Sequence, residues 1–172
     1  MITMKHSIFL LALLVTVASC NKEDDTVEPA PASTQTPVSY SVDKIVLTDF
    51  NMSNGSNQPW DALPNVGPDP FVQIVNNGTV IYKSTPAGNV TTSGPHDLST
   101  ASVGSLPITL NYDTPTTVEL WEDDGGGFME FIGSAVIQGS YVYTNDNASQ
   151  YNDVRIVGTN EIKMELSGTF NY

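Results

Sequence analysis

The chain has 172 residues, in which 19 acidic side chains stand against 6 basic ones for a formal net charge of −13. That length holds one ordinary domain plus a leader, and that charge repels nucleic acid and, unless a bound cation changes the local sign, anionic membranes as well. The single cysteine, Cys20, excludes disulfides within the chain, so stability must come from the core or from metal.

Met1 to Lys5 carries one positive charge, Ile8 to Ala18 is an apolar run, and Val17-Ala18-Ser19-Cys20 has the form of a lipobox. The run is too short to span a bilayer and is laid out like a signal peptide. A leader over 1–19 is therefore expected, with Cys20 as the acylated first residue of a mature bacterial lipoprotein held by several acyl chains. An ordinary secretory leader beside an incidental thiol is the alternative. The tract Asn21-Lys22-Glu23-Asp24-Asp25 resembles the signal that sends some Gram-negative lipoproteins to the outer face of the outer membrane, or is a solvated charge run. The first reading implies an outer-membrane protein exposed at the cell surface. Thr26 to Ser39 is rich in Pro, Ser and Thr, so that 20–39 reads as an acylated, extended tether.

From Tyr40 the apolar period becomes two. YSVDKIVLTDF reads as the first strand, and Asn51 to Pro59 as a polar loop. An acidic cluster, WDALPNVGPDPFVQI, follows with Asp61 and Asp69. FVQIV and TVIYKS flank Asn76-Asn77-Gly78, a strong hairpin signal. Thr85 to Gly104 reads as one long loop. LPITLNY, TTVELW and EFIGSAVIQGS are further strands, and NDVRIVG with EIKMELSGTF closes the chain as a hairpin turned at Thr159-Asn160. With no helix longer than a turn and no repeat, the expected fold over 40–172 is all-β: an eight-stranded antiparallel β-sandwich. Five Asn-x-Ser/Thr triplets, beginning at Asn51, Asn54, Asn77, Asn89 and Asn147, read as loop composition.

The stretch LWEDDGGGFMEFIG, Leu120 to Gly133, sets Glu122, Asp124 and Glu130 around a triple glycine, with Asp123 pointing the other way. Calcium is a hard cation that takes six to eight oxygens, and a glycine-rich loop can fold carboxylates around it. The loop bearing Asp61 and Asp69 also abuts a strand, so the two acidic loops can meet at one end of a sandwich. Chance placement of acids and Asp-Gly turn chemistry are the competing explanation.

Two motifs resemble the calcium-binding C2 domain, the module of protein kinase C and synaptotagmin. Asp69-Pro70-Phe71-Val72 is similar to the Asp-Pro-Tyr-Val that opens a strand in that family. Trp121, then acids one, three and nine positions on at Glu122, Asp124 and Glu130, then Phe131-Ile132-Gly133, is similar to its third loop. The resemblance implies a C2-like sandwich of eight strands, Asp61 and Asp69 as first-loop calcium ligands, and Glu122, Asp124 and Glu130 as third-loop ligands. Glu stands where the family usually has Asp at two of these positions, and the interval from Asp61 to Asp69 is longer than usual. It further implies that the 85–104 loop lies at the calcium end, where Asp97 is either an extra ligand or a plain surface acid. Leu63, Val66, Phe128 and Met129 at the loop tips then either enter lipid or fold back onto the sandwich.

Little supports catalysis. Beyond the leader His96 is the only histidine, and neither a phosphate loop nor zinc spacing occurs. The expected function is a surface-anchored, non-enzymatic calcium module that docks membrane headgroups, an anionic glycan or a partner protein. The alternative is a calcium-independent structural or glycan-binding accessory of a cell-surface complex, in which Trp60, Trp121 and the tyrosines matter more than the acids.

Overall fold

The computed structural model describes residues 36–61, 66–111, 113–138 and 153–172, all within one compact unit, Ala32–Tyr172. The expected leader over 1–19, Cys20, most of the expected tether over 20–39, Leu63 and the Asn-rich stretch before the last hairpin lie outside the described residues.

The described chain is a sandwich of two antiparallel sheets, each of five strands. The first contains β1 (Ser39–Asp49), β4 (His96–Asp97), β6 (Ile108–Asn111), β9 (Asp153–Val157) and β10 (Lys163–Asn171), in the order β4-β1-β10-β9, with β6 also on β1. The second contains β2 (Pro70–Asn76), β3 (Thr79–Ser84), β5 (Ala101–Val103), β7 (Thr116–Gly125) and β8 (Phe128–Ile137), in the order β5-β3-β2-β7-β8. The strand count is therefore ten, against the eight expected. The additional strands, β4 and β5, fall in the stretch read as one loop. At two and three residues they are too short for an alternation to show, and they exist only because Val46-Leu47 of β1 and Lys83-Ser84 of β3 offer ladder partners.

Period-two patterning builds the core. On β1 the inward set is Tyr40, Val42, Ile45 and Leu47, and its change of phase coincides with a register shift between Val42 and Lys44. Opposite that irregularity, a Cβ on Gly168 would lie 1.9 Å from the Ser41 carbonyl oxygen, so β10 can approach β1 only with glycine there. β10 contributes Met164, Leu166 and Phe170, and β2 contributes Val72 and Ile74. The buried tyrosines satisfy their hydroxyls on backbone: Tyr40 donates to Leu166 O at 2.9 Å and Tyr82 to Leu98 O at 2.6 Å.

Along β7 the inward positions are Thr116, Val118, Leu120 and Glu122, all buried. Each aliphatic member of such a row gains about 1.5–3 kcal/mol by leaving water. The fourth member is a carboxylate, and its position at the end of the row defines the site.

β8 is an edge strand, and its backbone is protected. Asn160 donates its side-chain amide to Ile132 O at 2.5 Å, and Ser134 N donates to Thr159 Oγ1 at 2.9 Å. Both partners come from the short 3-10 turn Thr159–Glu161 that joins β9 to β10.

Candidate metal centre

The β7–β8 hairpin tip, the loop after β1 and the segment entering β2 come together at the end of β7. The strands β7 and β8 extend further into LWEDDGGGFMEFIG than a loop reading allows, and only Gly126 and Gly127 lie between them. Gly125, Gly126 and Gly127 have φ of 75°, 63° and 89°, three successive left-handed residues that glycine alone adopts without strain. Because the tip is a strand hairpin, Glu122 and Asp124 sit two residues apart on one strand and share a face. Asp123 lies between them and uses its Oδ1 to accept from Gly125 N at 3.0 Å.

The loop after β1 is held by its own polar side chains. Asn54 Oδ1 accepts from Ser56 N at 3.0 Å and from Gln58 N at 3.2 Å. Trp60 Nε1 donates to Asn51 O at 2.8 Å, which brings the next residue, Asp61, toward β7.

Asp61, Glu122 and Asp124 each offer a carboxylate oxygen, and these oxygens lie within 4.8 Å of one another. Glu122 is fully buried. Its Oε1 accepts a long contact from Asp69 N at 3.5 Å, whereas Glu122 Oε2 and Asp61 Oδ2 are buried and have no hydrogen-bond partner among the described residues. Burial pushes the Glu122 carboxyl up to about 7, with the nearby Asp124, Asp61 and Asp69 charges adding to the rise and the Asp69 N–H opposing it. Burial, then the charges of Asp69 and Asp124, also raises Asp61. Three clustered acids, two of them with orphaned oxygens, are the donor set that a hard, oxygen-seeking cation satisfies.

The remaining candidate ligands sit elsewhere. Asp69, directly before β2, turns its Oδ1 to accept from the backbone N–H of Asn89, and its carbonyl accepts from Asp123 N at 3.2 Å. It therefore ties β2, β7 and the 85–95 segment together at the base of the cluster. Glu130 is paired in register with Glu122 across β7 and β8 but is exposed and outside the group of three. Asp97 is in β4, where its Oδ1 accepts from Ser99 N at 2.9 Å, and those Ser99 hydrogen bonds lower its pKa.

Of the loop-tip apolar residues, Phe128 is 74% exposed and Met129 44%, with Met129 Sδ lying 3.7 Å from Lys83 Nζ. Val66 is half-buried and lines a hollow with Met52, Trp60, Pro68 and Val90. Sequence reasoning missed the service of Asn89 to Asp69. It also missed the burial of Glu122, although the alternation Thr116-Val118-Leu120-Glu122 carried that signal.

No protein-family model matches the chain, and no curated protein matches it. Among solved structures it is similar to one described as "Structure of a C2 domain", at 8% identity and TM-score 0.45, over 78% of this chain and 99% of that one. It is also similar to BON1-C2B, at 18% identity and TM-score 0.43, over 79% of this chain and 92% of that one. A third is extended synaptotagmin 2, in a structure of two of its C2 domains, at 11% identity and TM-score 0.46. That likeness takes in 97% of this chain and 48% of that one.

The raised Glu122 pKa fixes a pH dependence for the chain free of divalent ions. Between its ordinary 4.5 and about 7 the folded state holds a proton that the unfolded state has released. The contribution of Glu122 to stability is therefore full below 4.5 and is lost as pH rises through about 7. Urea midpoints measured in chelator from pH 5 to 8 should fall with pH. Glu122→Gln should flatten that slope and stabilise the chain at pH 8 by about 1–3 kcal/mol, because the neutral amide removes the buried charge and each pKa unit is worth about 1.4 kcal/mol. A slope identical in parent and variant contradicts the assignment.

Proposed function

We propose that the sandwich is a C2-like calcium-binding module of a bacterial lipoprotein, tethered through acylated Cys20 to the outer membrane and exposed at the cell surface. The observation that carries the calcium reading is the fully buried Glu122, whose Oε2 has no partner among the described residues, beside Asp61 and Asp124. Asp61, Glu122 and Asp124 are the direct ligands, and the geometry favours one ion per chain because Asp69 is engaged by Asn89 and Glu130 stands apart. With a bound divalent ion offsetting two of the three carboxylate charges and keeping coordination positions for outside oxygens, and with Phe128 projecting beside the site, the tip is suited to docking anionic headgroups, an anionic glycan or a partner protein through the ion itself. The module binds rather than catalyses. Its lone histidine outside the leader, His96, hydrogen-bonds the Thr92 carbonyl at 2.8 Å and faces no nucleophile among the contacts described.

Calcium titration by calorimetry should give one ion per chain, and saturation at about a hundredfold above Kd should add about 2.7 kcal/mol to unfolding. Magnesium, which demands a stricter octahedron, should add little. Glu122→Gln and Asp124→Asn should abolish the calcium response, whereas Glu130→Gln should shift Kd by no more than about threefold, as expected for an exposed charge. A thermal midpoint indifferent to calcium removes the calcium module.

The anchor rests on the lipobox and is tested separately. Cells expressing the full chain should incorporate labelled palmitate into it, Cys20→Ser should abolish that label, and protease added to intact cells should remove the sandwich. Unlabelled protein, or full protection from protease, contradicts anchoring or surface exposure respectively.

A further inference from the structure

The solvent side of an antiparallel sheet is ordinarily polar. The outer face of the sheet β5-β3-β2-β7-β8 carries aromatic residues as well. Register sets Phe71 opposite Trp121 and Trp121 opposite Phe131, so three aromatic residues form a row across β2, β7 and β8. None of them belongs to the core between the sheets.

The row is built as a surface. Phe71 is fully buried at its base, with Lys83 Nζ 4.1 Å from its ring centroid, so the accessible part of the row is Trp121 and Phe131. Trp121 and Phe131 meet edge to face, with centroids 5.2 Å apart and planes at 71°. Glu119 Oε2 accepts from Trp121 Nε1 at 3.0 Å, which fixes the indole, and Phe131 remains 44% exposed. Two residues along β2 and β7, and three along β8 because of the register shift between Leu120 and Trp121, runs a second row, Lys83, Gln73, Glu119 and Ser134, again in register.

We propose that this face binds a neutral glycan, with a pyranose ring laid on Trp121 and Phe131 and its hydroxyls met by the Lys83, Gln73, Glu119 and Ser134 row. A pyranose has an apolar C–H face and a rim of hydroxyls, so it needs an aromatic floor beside donors and acceptors of both kinds. The two rows are about 7 Å apart along the strands, the scale of one sugar ring, and the accessible pair Trp121 and Phe131, with ring centroids 5.2 Å apart, is a floor for one ring. Charge selects the neutral class: the polar row carries one cation and one anion, while a net charge of −13 on the whole chain repels polyanions and anionic bilayers. Trp121 and Glu122 are consecutive on β7 and so point to opposite faces, which makes this surface independent of the calcium cluster.

Affinity electrophoresis of the full chain in gels containing mixed-linkage β-glucan, xyloglucan, galactomannan, xylan or starch tests the proposal. With chelator throughout, at least one polysaccharide should retard the protein. Phe131→Ala and Trp121→Ala should each weaken that retardation about tenfold, the size expected for removing an aromatic anchor. Phe131 is partly exposed, so its variant carries the test if Trp121→Ala does not fold. No retardation by any polysaccharide, equal retardation of parent and Phe131→Ala, or retardation that appears only with calcium overturns the proposal. Self-association that sedimentation shows to be lost in Phe131→Ala, without glycan binding, overturns it in favour of a second copy of the chain.

Discussion

A carboxylate at a core position of β7 is the constraint on which the rest of the site depends. The row Thr116, Val118, Leu120 and Glu122 is continuous, and its last member is as buried as the aliphatic ones before it. A buried charge without a partner costs several kcal/mol, so Glu122 must be protonated, paired or metal-bound. Among the described residues no lysine or arginine is paired with it, and its charged neighbours are acids that raise its pKa further. A buried carboxylate with a raised pKa, placed where loops converge, marks a candidate site.

The surrounding scaffold makes the convergence possible. Three left-handed glycines let β7 and β8 turn with two residues between them, which keeps Glu122 and Asp124 on a strand and in phase. The Asn-rich first loop, pinned by Trp60, delivers Asp61 from the other sheet's connection. Asp69, although an acid at the same end, serves as a strut: its side chain holds Asn89 and its backbone holds both Asp123 and Glu122.

Much of this was legible in the residues. Alternation revealed β1, β2, β3, β6, β7, β8 and the closing hairpin, and the Asn77-Gly78 step proved to be a turn with both residues at positive φ. Asn89 also has positive φ, so Asn77 and Asn89, two of the triplet asparagines that looked like loop composition, serve left-handed turns, as does Asn160 in the turn of the closing hairpin. The motif Trp121-Glu122-x-Asp124 located two members of the acidic group, and Asp61 the third. What escaped was non-local. β4 and β5 have no pattern of their own, the diversion of Asp69 depends on where Asn89 lands, and the exposure of Glu130 follows from its lying on an edge strand. The aromatic row is equally invisible in one dimension, because Phe71, Trp121 and Phe131 become neighbours only through cross-strand register.

The most direct measurement is diffraction from crystals of the protein grown in millimolar calcium, with anomalous signal used to identify the ion. A cation should lie about 2.3–2.6 Å from oxygens of Asp61, Glu122 and Asp124 together, the distance at which calcium takes oxygen ligands. Clear density for these side chains with no ion between them, or with Glu122 hydrogen-bonded to protein and the ion bound elsewhere, would contradict the claim that the buried carboxylate exists to hold metal.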